Sequence, residues 1–122
     1  MSLVIVVSGD RYLTDCPAVE RLFDTLPPDT VVVHGGARGL DTLAGKAARR
    51  RGFRVEVEAV SDAEWRQLGR AAGPLRNRRM LDKWHPDRVY AFHDDMANSK
   101  GTADIVRQAT DRGIPVQVSG SK

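Results

Sequence analysis

Val31-Val32-Val33-His34-Gly35-Gly36-Ala37-Arg38-Gly39-Leu40-Asp41 runs from an apolar strand through a glycine loop straight into a helix. Three consecutive valines read as a strand buried on both faces. Leu40, Leu43, Ala44, Ala47 and Ala48 then recur at helical spacing, with Arg49, Arg50 and Arg51 at the C-terminal end and Gly52 as the stop. Gly35, Gly36 and Gly39 lie within five residues, so backbone N–H groups can converge on an anion where the helix N-terminus adds partial positive charge. The plainer alternative is a tight turn with Asp41 as a helix cap.

The same alternation continues on either side. Leu3 to Val7 is a continuous apolar run, and Val19, Leu22, Phe23 and Leu26 follow at helical spacing until Pro27-Pro28. Phe53 to Val60 alternates apolar and charged residues, the pattern of an edge strand with one wet face. Ser61-Asp62-Ala63-Glu64 is a capping box opening a short helix, and Gly69 to Pro74 reads as a loop. Asn77, Met80, Leu81 and Trp84 share the face of a fourth helix. Arg88 to Phe92 is a strand and His93 to Lys100 a polar loop. Thr102, Ile105, Val106 and Ala109 mark the last helix, and Pro115 to Val118 the last strand.

The order β-α-β-α-β-α-α-β-α-β predicts an α/β Rossmann-like three-layer sandwich with a five-stranded parallel sheet. Right-handed crossovers give strand order 3-2-1-4-5, and residues 1–122 are expected to form one domain. Ligands of such sheets bind outside the C-terminal strand ends, where the winding reverses.

Composition fits a globular chain: of 122 residues, 41% are hydrophobic and 29% charged, with a net charge of +3. No apolar run is long enough to cross a bilayer, Met1 leads directly into a core strand, and no leader pattern is present. Cys16 has no partner for an intramolecular disulfide, so a reducing, cytoplasmic setting is expected and a helix-start position for Cys16 is favoured over a catalytic thiol. Most of the 19 cationic side chains are arginines. Their planar forks suit phosphate, although a GC-rich genome would give the same bias.

The least ordinary residues fall in the loops that the fold puts at that edge. Ser8-Gly9-Asp10-Arg11 follows the first strand: Gly9 permits close backbone approach, Arg11 offers a fork, and Ser8 and Asp10 can meet a ribose. Gly73-Pro74-Leu75-Arg76-Asn77 opens the fourth helix, where Asn77 either points inward towards the ligand edge or caps the helix. Gly101 and Thr102 open the last helix as a second anion site, and Asp104 serves either the dipole or chemistry. Neither a Walker A loop nor a GxGxxG fingerprint is present, and no cofactor is expected. His93, Asp94 and Asp95 are read as solvated loop residues, so no metal site is expected.

Gly9-Asp10-Arg11, Gly35 to Asp41, Gly73 to Asn77 and Gly101-Thr102-Ala103-Asp104, in this order, resemble the YspA/YpsA-related branch of the SLOG superfamily. The resemblance spans essentially the whole chain and implies a Rossmann-like domain that binds nucleotides or nucleotide-derived ligands. The glycine loop is also similar to that of the Lonely Guy phosphoribohydrolases, which remove a base from a nucleoside monophosphate, and Arg76 matches the place of their catalytic arginine. Their last motif differs: Ala97-Asn98-Ser99 stands for their Pro-Gly-Gly, and Ile105 for their catalytic glutamate. An oxocarbenium-like transition state wants a nearby carboxylate. Asp104 would face about 100° away on a helix, which leaves Asp41 as the substitute. The loop also resembles that of DprA, which binds single-stranded DNA.

The expected ligand is therefore a nucleotide or nucleotide-sugar. Arg11, Arg38 and Arg76 would take phosphate. Ser8, Gly9, Gly35, Gly36, Gly39, Gly101 and Thr102 would donate, and Asp41 and Asn77 would meet ribose or base. The chain would act as a ligand sensor or as an N-glycosidic hydrolase using Asp41 and Arg76. The alternative is single-stranded DNA binding with Tyr12 and Trp65 as stacking rings. A homo-oligomer and no membrane partner are expected.

Overall fold

A computed structural model describes residues 2–122; Met1, part of the expected 1–122 domain, lies outside the described residues. Five parallel strands lie in the order β3-β2-β1-β4-β5, with β1 Val4–Gly9, β2 Val31–His34, β3 Arg54–Val57, β4 Arg88–Phe92 and β5 Val116–Ser119. This is the predicted topology, and side-chain alternation explains it. Ile5, Val6 and Val7 are fully buried, so β1 needs cover on both faces and takes the centre. Its register sets Ile5 beside Val32 and Val6 beside both Val33 and Val89. The strand with charged alternate positions, β3, lies at an edge.

On one face, helices α1 (Pro17–Asp24) and α2 (Leu40–Arg50) cover Ile5, Val7 and Val32 with Val19, Phe23, Leu40, Ala44, Ala47 and Ala48. Phe23 meets Phe53 edge-on, with ring centroids 5.8 Å apart. On the other face, α4 (Ala72–Trp84) and α5 (Gly101–Asp111) cover Val6, Val33 and Val89 with Met80, Leu81, Ile105 and Ala109. The short α3 (Asp62–Leu68) begins at the capping box read from the sequence. Ser61 Oγ accepts the Glu64 N–H, and Glu64 returns a carboxylate to the Ser61 N–H, both at 3.1 Å. No helix of the described residues is long and apolar enough to cross a membrane.

Two boundaries differ from expectation. Residues 69–74 are not a loop: a 3₁₀ turn at Gly69–Ala71 leads into α4, which starts at Ala72. Pro74 therefore sits in the first helical turn, where its missing N–H has no intrahelical partner to lose. The third strand is Arg54–Val57 rather than 53–60, because Phe53 turns into the core and pairing to β2 ends with the Glu58 N–H on the His34 carbonyl, 2.9 Å. Cys16 is the buried residue just before α1, and burial pushes its thiol pKa up, away from the reactive thiolate.

Candidate functional site

Close packing of two loops builds the C-terminal edge. A Cβ on Gly9 would fall on the Phe92 carbonyl oxygen and 2.6 Å from Leu40 Cγ. One on Gly39 (φ 72°) would fall on the backbone of Asp10 and Arg11. With both side chains absent, the loop after β1 lies directly against the start of α2, fixed by the Leu40 N–H on the Asp10 carbonyl at 3.0 Å. Gly36 (φ 72°) is left-handed as well and lies against Val57, the last residue of β3, and Ala59 just after it.

The glycine loop closes around its own carboxylate. Asp41 is 5% exposed, and its Oδ2 accepts the N–H groups of Gly35 and Ala37, both at 3.1 Å. Desolvation raises the Asp41 pKa to about 6, against the pull of the Ala37 amide, the nearby Arg76 charge and the Gly35 amide. The third loop amide, Gly36, donates to His34 Nδ1 at 3.0 Å. His34 is 5% exposed, and burial with the Arg49 and Arg76 charges lowers its pKa to about 4. The imidazole is thus neutral and carries its proton on Nε2. Gly45 in α2 leaves room for it, since a Cβ there would lie 2.8 Å from Nε2.

Arg76 approaches from α4. Its guanidinium occupies the space a Gly35 side chain would fill, and Nη1 donates to the Gly35 carbonyl at 2.5 Å. Desolvation lowers its pKa, and Asp41 acts in the opposite sense. Arg76 Nε also donates to Asn77 Oδ1 at 3.0 Å. Asn77 Nδ2 passes the link to Asp104 Oδ2 at 3.0 Å and to the Gly101 carbonyl at 3.4 Å. Asp104 is buried and also receives Arg107 at 2.6 Å and Gln108 at 2.8 Å. One polar chain therefore joins the glycine loop, α4 and the start of α5.

At that start, Ser99 Oγ accepts the N–H groups of Thr102 at 3.1 Å and Ala103 at 3.3 Å. Thr102 is buried, whereas Gly101 is exposed and has open space where a Cβ would project. Arg11 and Arg38 are exposed at the rim, and Ser8, half-buried, is still in β1 beside Ala91. Gly101→Ala is expected to leave stability unchanged or raise it by up to about 1 kcal/mol, because helix backbone suits alanine and nothing is displaced. Thermal denaturation checks this, and a lowered midpoint would mean the start of α5 is tighter than the open space indicates.

The structure thus brings Gly9, Gly35, Gly36, Arg38, Gly39, Asp41, Arg76, Asn77, Gly101 and Thr102 to one edge. Asn77 is inside α4 and does not cap it. Sequence reasoning missed His34, which directly precedes the glycines, and Ser99, three residues before Thr102, the spacing of a side-chain cap. Asp104 was weighed only for the dipole or chemistry, yet Arg107 and Gln108 at i+3 and i+4 were visible partners. Asp94, read as solvated, holds the tail by accepting the Ser121 N–H and hydroxyl at 2.7 Å each. No group of three or more metal-ligating side chains is assembled among the described residues. A groove of about 720 Å³ lies between α1 and the β4–β5 half of the sheet, but it shares no lining residue with the glycine loop or Arg76.

The model of the YspA, cpYpsA-related SLOG family (YAcAr) matches residues 3–67, from β1 through most of α3. The chain belongs to this SLOG family. A Mycobacterium phage D29 relative, Gene 61 protein, is 38% identical over 125 residues, covering 97% of each chain. Among solved structures, the DNA processing protein A (DprA) of Streptococcus pneumoniae superposes with a TM-score of 0.77 at 20% identity. That match covers 96% of this SLOG chain but half of the DprA chain, and it is a likeness of fold.

Proposed function

We propose that this chain is a sensor domain that binds a nucleotide or nucleotide-derived phosphate at the C-terminal edge of its sheet. The observation that carries the reading is the Arg76 guanidinium, sunk against Gly35 and facing the glycine loop. A half-buried arginine with no carboxylate hydrogen-bonded to it keeps charged donors to spare, and a phosphate would supply the missing acceptor. Arg38 adds an exposed fork at the rim, whereas the exposed Arg11 guanidinium is engaged by the Tyr12 hydroxyl and ring. The loop amides donate to Asp41 and His34, and those of Thr102 and Ala103 to Ser99. A phosphate would therefore rely on the arginines and the exposed backbone of Gly101, or displace His34 from the Gly36 amide or Ser99 from the start of α5.

The hydrolase reading receives less support. Ile105 is fully buried under the sheet, and Asp41 is engaged with two loop amides. Calorimetric titration with a panel of nucleoside mono- and diphosphates tests the sensor. Arg38→Ala is expected to weaken binding without lowering stability, and Arg76→Ala to weaken it about tenfold or more, from the loss of charge-assisted hydrogen bonds. No response to either change would place the site elsewhere. Release of free base from the panel would restore the hydrolase. Binding confined to single-stranded oligonucleotides, and lost steeply with salt, would favour the DNA reading.

A further inference from the structure

The loop between β1 and α1 carries Tyr12, which is 70% exposed, the most open of the large hydrophobic side chains among the described residues. A ring so exposed gains little from burial, yet its backbone is firmly placed. The Tyr12 N–H donates to Asp10 Oδ1 at 2.9 Å, and the Leu13 N–H to the Asp10 carbonyl at 3.3 Å, while Leu13 packs on the core. The Asp10 and Arg11 backbone lies directly against Gly39, so this turn is packed on the glycine loop. The ring is restrained too: the Arg11 guanidinium sits 5.0 Å from its centroid and donates to the Tyr12 hydroxyl at 2.7 Å.

We infer that Tyr12 is a stacking platform for the nucleobase of the ligand. This rests on the nucleotide reading above and adds how the base is held. A guanidinium lies over the ring, and a side chain 70% exposed has ring surface left for a planar aromatic group. An aromatic ring accepts any base, because every base has a π-face. Tyr12 would therefore supply affinity for the base as a class, while hydrogen bonding elsewhere would have to choose among bases. The phosphate end would lie towards Arg76 and Arg38, and the base end over Tyr12.

Titration of the four ribonucleoside 5′-monophosphates and of ribose 5-phosphate reads this directly. Tyr12→Ala is expected to weaken the nucleotides by roughly ten- to a hundredfold and leave ribose 5-phosphate unchanged, with Tyr12→Phe close to wild type. Unchanged nucleotide affinity in Tyr12→Ala, or an equal loss for ribose 5-phosphate, overturns the platform and leaves the nucleotide site standing. Wild-type protein that binds none of these ligands and no oligonucleotide overturns both. Binding of a single-stranded oligonucleotide alone, weakened by Tyr12→Ala, supports the base contact but moves its source to nucleic acid and overturns the sensor.

Discussion

Asp41→Ala is expected to destabilise the fold by about 2–5 kcal/mol, since each buried N–H left without an acceptor costs about 1–3 kcal/mol. Two amides, that of buried Gly35 and that of half-buried Ala37, share the one oxygen Oδ2, so truncation unpairs both together and the cost is greatest at Gly35. Half-buried Arg76 would also lose the favourable charge of the nearby carboxylate. Asp41→Asn separates these effects. Its amide oxygen can take the place of Oδ2 and keep both amides satisfied, so its loss should be less than half as large. Urea denaturation of the two variants measures the difference. An alanine variant within about 1 kcal/mol of wild type would mean that the loop holds its shape without the carboxylate. For the hydrolase reading the consequence is direct: a fall in turnover in Asp41→Ala cannot be assigned to chemistry unless Asp41→Asn, with its loop intact, falls as well.

The fold was legible because burial demands are written into single elements. The runs at Leu3–Val7 and Val31–Val33 can only be central strands, and the charged alternation after Phe53 only an edge. The start of α4 was not legible, because Gly73-Pro74 is as compatible with a loop as with a first helical turn. At the site, residue types indicated which loops would meet but not which donors would remain open. The glycine spacing gave convergent amides, and nothing in it said that Asp41 and His34 would accept them, nor that Ser99 would accept those at the start of α5. Pairings of that kind depend on side-chain direction at a strand end or helix start, to within one bond rotation. The glycines show the same limit. Gly9 and Gly39 serve loop-to-loop contact, Gly35 seats an arginine, Gly45 admits an imidazole, and Gly73 and Gly101 stand open.

The neutral imidazole and the buried carboxyl at the two ends of the glycine loop should give the protein two opposed responses to acid. His34 takes a proton near pH 6.5 when unfolded but only at about 4 when folded. Below pH 6.5 the unfolded state therefore binds more protons, and stability is lost as the pH falls towards 4. Asp41 titrates at 3.8 unfolded and about 6 folded. Between these values the folded state holds the extra proton, so acidification through 6 adds stability, and the gain is complete below 3.8. At 1.36 kcal/mol per pKa unit each response amounts to about 3 kcal/mol, with opposite sign. Wild-type stability should accordingly vary little from this pair between pH 6 and 4. Each variant exposes the remaining partner: relative to wild type, Asp41→Asn should lose about 3 kcal/mol on going from pH 7 to 4, and His34→Gln should gain a similar amount. Comparing variant with wild type removes the surface carboxylates, such as Glu64 and Asp94, whose lowered pKa values destabilise both proteins alike in acid. Urea midpoints at half-unit pH steps give the curves. If the three run parallel from pH 7 to 4, neither group changes its protonation on folding, and the loop is held by hydrogen bonds alone.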